Sequence, residues 1–152
     1  MIVYRLSKSK YSNDLSGRGA ERSGGRWNSK GVAMIYTGES RALCTTEIAV
    51  HTPLGNIPTD YEIISIEIPD ALIGELDITT LREDWKSFPH PHFTQETEDK
   101  FISDNIYLAL KVPSAVVPGD FNYLINPHYK DFSQVKITDI GSFEFDERLF
   151  NK

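Results

Sequence analysis

The chain has a single cysteine, Cys44, among its 152 residues. One cysteine excludes an internal disulfide bond and any metal site built from several cysteines. No apolar run approaches the roughly 20 residues that a membrane-spanning helix needs. The N-terminal residues MIVYRLSKSK also lack the apolar core of a signal peptide. These absences predict a cytoplasmic protein that does not contact a membrane and needs no covalent cross-link in its core.

Positive charge is also in short supply. Sixteen basic residues stand against twenty-two acidic ones, which gives a formal net charge of -6 and a pI near 5.2. Such a surface repels phosphate backbones, so we expect no direct binding of nucleic acid. The one local concentration of basic side chains consists of Arg18, Arg22, Arg26 and Lys30. These four cations are enough for a small anionic ligand.

The usual glycine-rich nucleotide motifs are missing. Neither G-x-x-x-x-G-K-[ST] nor a G-x-G-x-x-G turn that opens a helix occurs. Glycine is instead concentrated in residues 24–31, GGRWNSKG, a composition typical of a mobile surface loop. The alternative is that the glycines let the backbone approach a ligand, while Arg26 binds a phosphate bidentately and Trp27 packs behind it. The composition alone leaves both interpretations open.

Length and composition predict one α+β domain with six or seven short strands and two main helices. A chain of this size, 39 % hydrophobic, can bury roughly 70 % of its unfolded surface in a single core. Residues 7–31 show no hydrophobic periodicity and predict a long structureless stretch that is either a functional loop or disordered. Hydrophobic periodicity predicts the remaining elements: strands at 2–6, 32–37, 61–68, 115–117, 123–125 and within 135–145, and helices at 39–51 and 95–110.

Glu47 lies inside the predicted helix 39–51, among small and largely uncharged residues. It is either an ordinary solvent-facing residue or a carboxylate directed into a cleft. Leu43 and Val50 lie at i−4 and i+3 from it, which places the carboxylate beside the apolar stripe. This position favours the cleft.

Other polar residues give weaker signals. His90 and His92 have no cysteine or carboxylate at ligand spacing, so we expect no metal site. Ser114 lacks the G-x-S-x-G elbow of a hydrolase nucleophile. Asn122 and Asn126 bracket a short predicted strand and are interpreted from the residues alone as turn residues.

Taken together, the residues occur in an order that resembles the RES domain, a family named for its arginine, glutamate and serine. Arg26, Glu47 and Ser114 take the three name-giving positions, and Tyr36 matches an active-site tyrosine of the family. The resemblance covers nearly the whole chain, 1–152, as one domain, and only residues 69–100 match nothing in the family pattern. The matching segments are Tyr4-Arg5, GGRWNSKG at 24–31, IYTGES at 35–40, ALCTTE at 42–47, VPSAVVPGDFNYLINPHY at 112–129 and FEFDERL at 143–149.

The resemblance implies a fold like that of ADP-ribosyltransferases such as diphtheria toxin, with short strands in a split sheet flanked by helices. It implies a toxin of a bacterial toxin–antitoxin pair that consumes NAD as a substrate and needs no recycled cofactor. The implied partner is an Xre-type helix-turn-helix antitoxin that covers the active site. Two toxin subunits would pair within that complex.

The resemblance also implies roles for the site residues. Cleavage of the bond between nicotinamide and ribose passes through an oxocarbenium-like state, whose positive charge Glu47 would offset. Arg5 and Arg26 would bind the pyrophosphate. Tyr36 would stack on the cationic nicotinamide ring, and Ser114 would hydrogen-bond near the nicotinamide or ribose.

Two further residues, Asn28 and Asn122, complete the predicted NAD-binding set. Two other functions stay open beside NAD hydrolysis or phosphorolysis: a protein ADP-ribosyltransferase that uses NAD as donor, and a non-catalytic NAD- or nucleotide-binding regulatory module. Glu47 favours an enzyme, because a pure binder has no evident need of a carboxylate beside a bound anion.

Overall fold

Seven strands and three α-helices make up residues 1–151, the part of the chain that the computed structural model describes. Short 3-10 turns join several of them. The strands are β1 (Ile2–Lys8), β2 (Ile35–Gly38), β3 (Tyr61–Glu67), β4 (Ile73–Glu75), β5 (Ala109–Pro113), β6 (Phe121–Ile125) and β7 (Lys136–Phe143), and the helices are α1 (Arg18–Ser23), α2 (Arg41–His51) and α3 (His92–Asp104).

The strands form one sheet in the order β4-β5-β6-β2-β1-β3-β7. Only β4 and β5 run parallel; the other neighbours are antiparallel. β1 and β2 share a single register pair, Tyr4 with Gly38, whereas β1 pairs with β3 along its full length. The sheet is therefore split between β1 and β2 into two halves, as the family resemblance implied.

Hydrophobic side chains cover both faces of the sheet. The predicted alternation in β3 is confirmed: Ile64, Ile66 and Ile68 are fully buried and share one cluster. On β6, Ile125 belongs to that cluster, whereas Leu124 packs on the opposite face with Trp27 and Phe101, since successive strand residues point to opposite faces. The second face is the one that α3 and residues 24–31 cover.

The helix predicted at 39–51 is confirmed as α2. Ser40 caps its N-terminus by accepting a 3.0 Å hydrogen bond from the backbone N of Leu43, which satisfies one of the free donors of the first turn. Leu43 and Cys44 form its buried side. Val50 was predicted to belong to the apolar stripe, but it is 59 % exposed.

The helix predicted at 95–110 is too long at its C-terminal end. α3 ends at Asp104, and Asn105 follows in the left-handed conformation at φ 52°, a common way to terminate a helix. Ile106, assigned to the helical stripe, is 64 % exposed. Leu108, just before β5, and Ala109, its first residue, are fully buried.

Two further predictions need correction, and one strand was not predicted. Residues 115–117 form a bend after β5 and no strand. The stretch 7–31 is not structureless, because it contains the end of β1 and the short helix α1. β4 was not predicted, because its three residues are too few for a periodic pattern.

Gly17 precedes α1 at φ 72°, and a Cβ there would lie 2.7 Å from the backbone N of Met34.

Candidate active site

A cleft opens where the sheet is split, between β1 and β2, with α2 along its side. It has two lobes. The first lobe, about 350 Å³ in volume, lies beside β1 and includes Arg5 and Arg18 in its lining. The second lobe, about 880 Å³, lies under residues 24–31 and 86–90 and includes Arg26. The residues that line both lobes are Tyr36, Glu47 and His51.

Glu47 stands at the junction of the two lobes, on the side of α2 that faces the sheet. The hydroxyl of Ser114 donates to its Oε1 at 3.4 Å. Burial raises the pKa of Glu47 above its ordinary value, and hydrogen bonds from Asn122 and Ser114 lower it in part. A carboxylate that is desolvated and only weakly hydrogen-bonded is well suited to stabilise a nearby positive charge.

Ser114 is held in the bend after β5 by its own hydroxyl. Its Oγ accepts hydrogen bonds from the backbone N of Val116 at 3.1 Å and of Val117 at 3.0 Å. The two amides occupy the oxygen lone pairs, so the remaining hydroxyl proton is directed at Glu47. This geometry orients the carboxylate and leaves Ser114 unsuited to act as a nucleophile.

Tyr36 forms the wall between the lobes from β2. Its hydroxyl donates to Asn28 Oδ1 at 2.6 Å and accepts from the backbone N of Trp27 at 3.2 Å. Burial raises the pKa of Tyr36, so the hydroxyl stays protonated. A Cβ at Gly25 would lie 2.7 Å from the tyrosine oxygen. Glycine is therefore required at position 25 for the loop to pack on Tyr36.

Arg26 is fixed by the backbone of a distant segment. Its Nη1 donates to the carbonyl oxygens of Trp85 at 2.7 Å and Ser87 at 3.0 Å. Burial lowers the pKa of Arg26, and Tyr36 opposes this shift. One guanidinium nitrogen is thus used for positioning, which leaves Nη2 and Nε for an anion in the second lobe.

Arg5 supplies a cation to the first lobe from β1. Its Nη1 donates to the backbone oxygen of Asp14 at 2.7 Å, and burial lowers the pKa of Arg5. Arg5 on β1 and Arg26 in the loop before β2 therefore supply arginines to the two lobes that meet at Glu47.

A model of the family described as RES domain matches residues 2–146. The chain belongs to the RES domain family.

Relatives of similar length support this assignment. A protein named Toxin Res from Photorhabdus laumondii is 38 % identical over 98 % of this chain and 97 % of its own length. A protein named Prs ADP-ribosylating toxin from Sphingobium sp. is 33 % identical over 93 % of this chain and 89 % of its own length.

A solved structure has the same fold. The M. tuberculosis MbcT–MbcA toxin–antitoxin complex contains a chain that matches 98 % of this one, with 86 % of that chain covered, a TM-score of 0.74 and 20 % sequence identity. The mixed α+β fold with its seven-stranded sheet is thus a fold already seen in a toxin–antitoxin complex.

Within the RES domain, the structure brings together four of the residues singled out from the sequence: Tyr36, Glu47, Ser114 and Asn122. Asn122 lies on β6, lines the second lobe and donates to the backbone oxygen of Thr37 at 3.2 Å. The sequence analysis treated this residue as a turn former on the basis of its neighbours, but it lies within a strand.

Asn28 does not fit its predicted role as an NAD-binding residue. It is fully buried, its Nδ2 donates to the backbone oxygens of Ala20 at 2.8 Å and Val32 at 2.9 Å, and its Oδ1 accepts from Tyr36. Because its polar atoms are engaged inside the protein, Asn28 holds Tyr36 and the loop in place and does not face the cleft.

The residues that fix the Arg26 loop, residues 24–31, lie on α3. Thr94 Oγ1 donates to the backbone oxygen of Arg26 at 2.6 Å, Gln95 Nε2 donates to that of Gly25 at 2.9 Å, and Asp99 accepts from the backbone N of Ser29. Trp85 packs on Trp27 with ring centroids 5.8 Å apart. These partners could not be predicted, because hydrogen bonds between side chains and backbone groups about 70 residues apart leave no pattern in the residue spacing of the sequence.

His51 was also missed as a cleft residue. It follows Glu47 by one helical turn, and this i, i+4 spacing on one helix face is a signal that could have revealed it. Among residues 1–151, no group of three His, Cys, Asp or Glu side chains is arranged to hold a metal ion. Within the same part of the chain, no helix is long and apolar enough to cross a bilayer.

Proposed function

We propose that this RES domain is a toxin that cleaves the bond between nicotinamide and ribose in NAD, and that it stops growth by depleting NAD in the cytoplasm. The observation that carries the proposal is the position of Glu47, a half-buried carboxylate at the junction of two lobes, of which one is lined by Arg5 and Arg18 and the other by Arg26. A dinucleotide is an extended molecule with anionic phosphates near its centre and the scissile bond towards one end. The cleft offers arginines for the phosphates and the Glu47 carboxylate for the sugar at the scissile bond.

Glu47 stabilises the charge that develops on the sugar. When the C1′–N bond breaks, its electron pair goes to the nicotinamide nitrogen, and the ring leaves neutral without a general acid. The ribose becomes oxocarbenium-like, and the carboxylate offsets its positive charge. Attack by water then gives ADP-ribose and releases one proton; attack by phosphate gives ADP-ribose 1″-phosphate.

The remaining residues bind and orient NAD. Arg5 and Arg26 offer guanidinium donors to the pyrophosphate, the fixed anion of the substrate. Tyr36 presents its ring to the cleft, where a cationic nicotinamide is attracted to an aromatic face. Ser114 and Asn122 hold the Glu47 carboxylate in its orientation.

The test is nicotinamide release from NAD by the purified chain, with and without phosphate. Glu47→Gln keeps the shape of the side chain and removes its charge, so we expect the rate to fall about 100- to 1,000-fold. Glu67→Gln, an exposed glutamate on β3, is the matched control and should leave the rate unchanged. If the wild-type chain releases no nicotinamide under either condition, it does not degrade NAD, and either transfer of ADP-ribose to a protein acceptor or a role as a non-catalytic NAD-binding module becomes the better account.

In cells, the same site should determine toxicity. Arg26→Ala and Glu47→Ala should each relieve the growth arrest that expression of the wild-type chain causes. Their folding is checked by circular dichroism. Full toxicity of both folded variants would contradict the site.

A second candidate reaction is transfer of ADP-ribose to a protein. The observation in its favour is the relative named Prs ADP-ribosylating toxin, at 33 % identity. The same cleft and the same Glu47 chemistry serve both reactions, and only the acceptor differs. Incubation of the chain with labelled NAD and cell extract distinguishes them: free labelled ADP-ribose or its phosphate indicates degradation, and labelled protein indicates transfer.

We also propose an antitoxin partner of the Xre helix-turn-helix type that covers the cleft, with two toxin subunits paired in the complex. Support comes from the fold shared with a chain of a toxin–antitoxin complex. Co-expression with the candidate antitoxin should suppress nicotinamide release. Light scattering of the purified complex would give its stoichiometry.

A further inference from the structure

The most unusual buried group in the molecule is the carboxyl of Glu98 on α3. Its side chain is 0 % exposed, and within residues 1–151 neither of its oxygens has a hydrogen-bond partner. A buried polar group without a partner is costly, and a buried unpaired charge is much more so. Nothing in the proposed chemistry uses this residue directly, so its position needs another explanation.

Glu98 lies among the residues that hold the Arg26 loop. Thr94 precedes it by one helical turn and Gln95 by three residues, and both donate to the loop backbone. Asp99, the next residue, bonds to Ser29 of the loop. Glu98 is also close enough to Tyr36 to influence the titration of that hydroxyl. The carboxyl therefore lies at the interface that joins α3, the loop and the wall of the cleft.

None of the charged or titratable groups around Glu98 stabilises a negative charge on its carboxyl. Asp99 on its own helix is a second acid and repels a negative charge at Glu98. Tyr36 on β2 is a neutral hydroxyl already bonded to Asn28. Arg26 of the loop directs its Nη1 to the carbonyl oxygens of Trp85 and Ser87. The basic side chains of α3 belong to other pairs, Lys100 with Asp104 and His92 with Glu96.

We infer that Glu98 is a positioning residue that keeps α3 docked on the Arg26 loop only while its carboxyl is protonated, so that alkaline pH loosens the loop and weakens NAD binding. The inference rests on the proposed function for its effect on NAD, but not for its effect on the fold. In the protonated form the side chain is neutral and tolerates its dry surroundings. In the ionised form it draws water into the interface and loosens the contact between α3 and the loop.

The expected pH range follows from the titration. Burial, with repulsion from Asp99, raises the pKa of Glu98 to about 8 in the folded chain. Below about pH 4.5 the folded and unfolded chains are both protonated at this residue, and burial of the neutral group is at its most favourable. Between about pH 4.5 and 8 only the unfolded chain ionises, so Glu98 lowers stability as pH rises. Above about pH 8 both forms are ionised and the loss is complete.

The experiment compares the wild-type chain with Glu98→Gln, which mimics the protonated form at every pH. Glu96→Gln, on the exposed side of the same helix, is the matched control. Trp27 and Trp85, whose rings pack in a tilted arrangement at the loop, report on docking by their fluorescence. We expect a fluorescence transition near pH 8 in the wild type and in Glu96→Gln, and no such transition in Glu98→Gln. Urea unfolding should show a stability that falls from pH 5 to pH 8 in the first two chains relative to Glu98→Gln.

Calorimetric titration with NAD tests the functional part. Above the transition, wild-type affinity should approach a tenfold loss per pH unit, since only the protonated fraction binds, and Glu98→Gln should lack this loss. If Glu98→Gln matches the wild type in fluorescence and stability at every pH, the inference is overturned. If it removes the fluorescence transition but not the pH dependence of NAD affinity, Glu98 does not position the site. Should Glu98→Gln fail to fold, Glu98→Leu replaces it with the same expected outcomes. A chain that does not bind NAD at all contradicts the proposed function and leaves the fluorescence and stability results to decide on Glu98.

Discussion

Glu47 experiences two opposing influences, burial in the cleft and hydrogen bonds from two neighbours. Burial dominates and raises its pKa. Because the charged form is the one that stabilises an oxocarbenium-like state, kcat/KM for NAD cleavage should fall as pH drops through this raised pKa. The acid limb should therefore lie at higher pH than the titration of a free glutamate. An acid limb of kcat/KM at or below the pH range in which a free glutamate titrates would contradict this assignment.

Ser114 should set the position of that limb. Its hydroxyl lowers the pKa of Glu47 by donating to the carboxylate. Ser114→Ala removes the donor, so the acid limb of kcat/KM should move to higher pH while activity on the plateau is retained in part. A rate loss that is uniform across pH would instead indicate that the serine matters only for the bend.

Tyr36 combines an aromatic ring in the cleft with a buried hydroxyl behind it. Tyr36→Phe keeps the ring but leaves Asn28 Oδ1 and the backbone N of Trp27 without their partner. We expect a loss of about 1–3 kcal/mol in the free energy of unfolding, measured by urea denaturation, with a smaller change in KM for NAD. A large rise in KM without loss of stability would show that the hydroxyl contacts the substrate.

At the scale of elements, α3 controls the site without lining it. Thr94→Val keeps the shape of the side chain and removes the bond to the backbone of Arg26, so KM for NAD should rise and stability should fall by about 1 kcal/mol. Thr97→Val is the control, because the Thr97 hydroxyl bonds only to Phe93 within the helix. Equal effects of the two substitutions would show that the loop is held without Thr94.

Helices and strands show most clearly how far the sequence predicts the structure. β3 and α2 were predictable because their apolar residues repeat at the period of the element and a cap or turn marks the ends. The helix predicted at 95–110 was extended too far, past Asp104, because the apolar residues there fit a helix as well as a buried strand, and only the sheet decides between them. The burial of Glu98 could not be predicted, since a glutamate in a helix rich in acidic residues is usually solvated.

At the scale of the whole molecule, a chain of net charge -6 concentrates cations around one cleft. The cleft includes Arg5, Arg18, Arg26 and Lys86. Binding of anionic NAD should weaken as salt rises, because screening shortens the reach of these charges to about 8 Å at physiological ionic strength. Calorimetric titrations at increasing sodium chloride concentration measure the effect; an affinity independent of salt would argue against a phosphate-binding role for the arginines.

The sequence could predict the family and several residues that line the cleft, but not how the cleft is built. The order of Arg5, Arg26, Tyr36, Glu47 and Ser114 was enough to indicate the family. The division of the cleft into two lobes could not be predicted. It depends on the separation of β1 from β2, which is a property of the assembled sheet.

The split sheet has a consequence for the synthesis of the protein. The chain crosses between the two half-sheets repeatedly: β1 and β3 lie in one half, β2 and β6 in the other, and β7 returns to the first. A nascent chain therefore has no complete cleft until Asn122 has left the ribosome, and no complete sheet until β7 has followed. If the chain is the toxin proposed above, a product truncated before Asn122 would lack part of the cleft and should be inactive, so the activity would arise only after most of the chain has been produced.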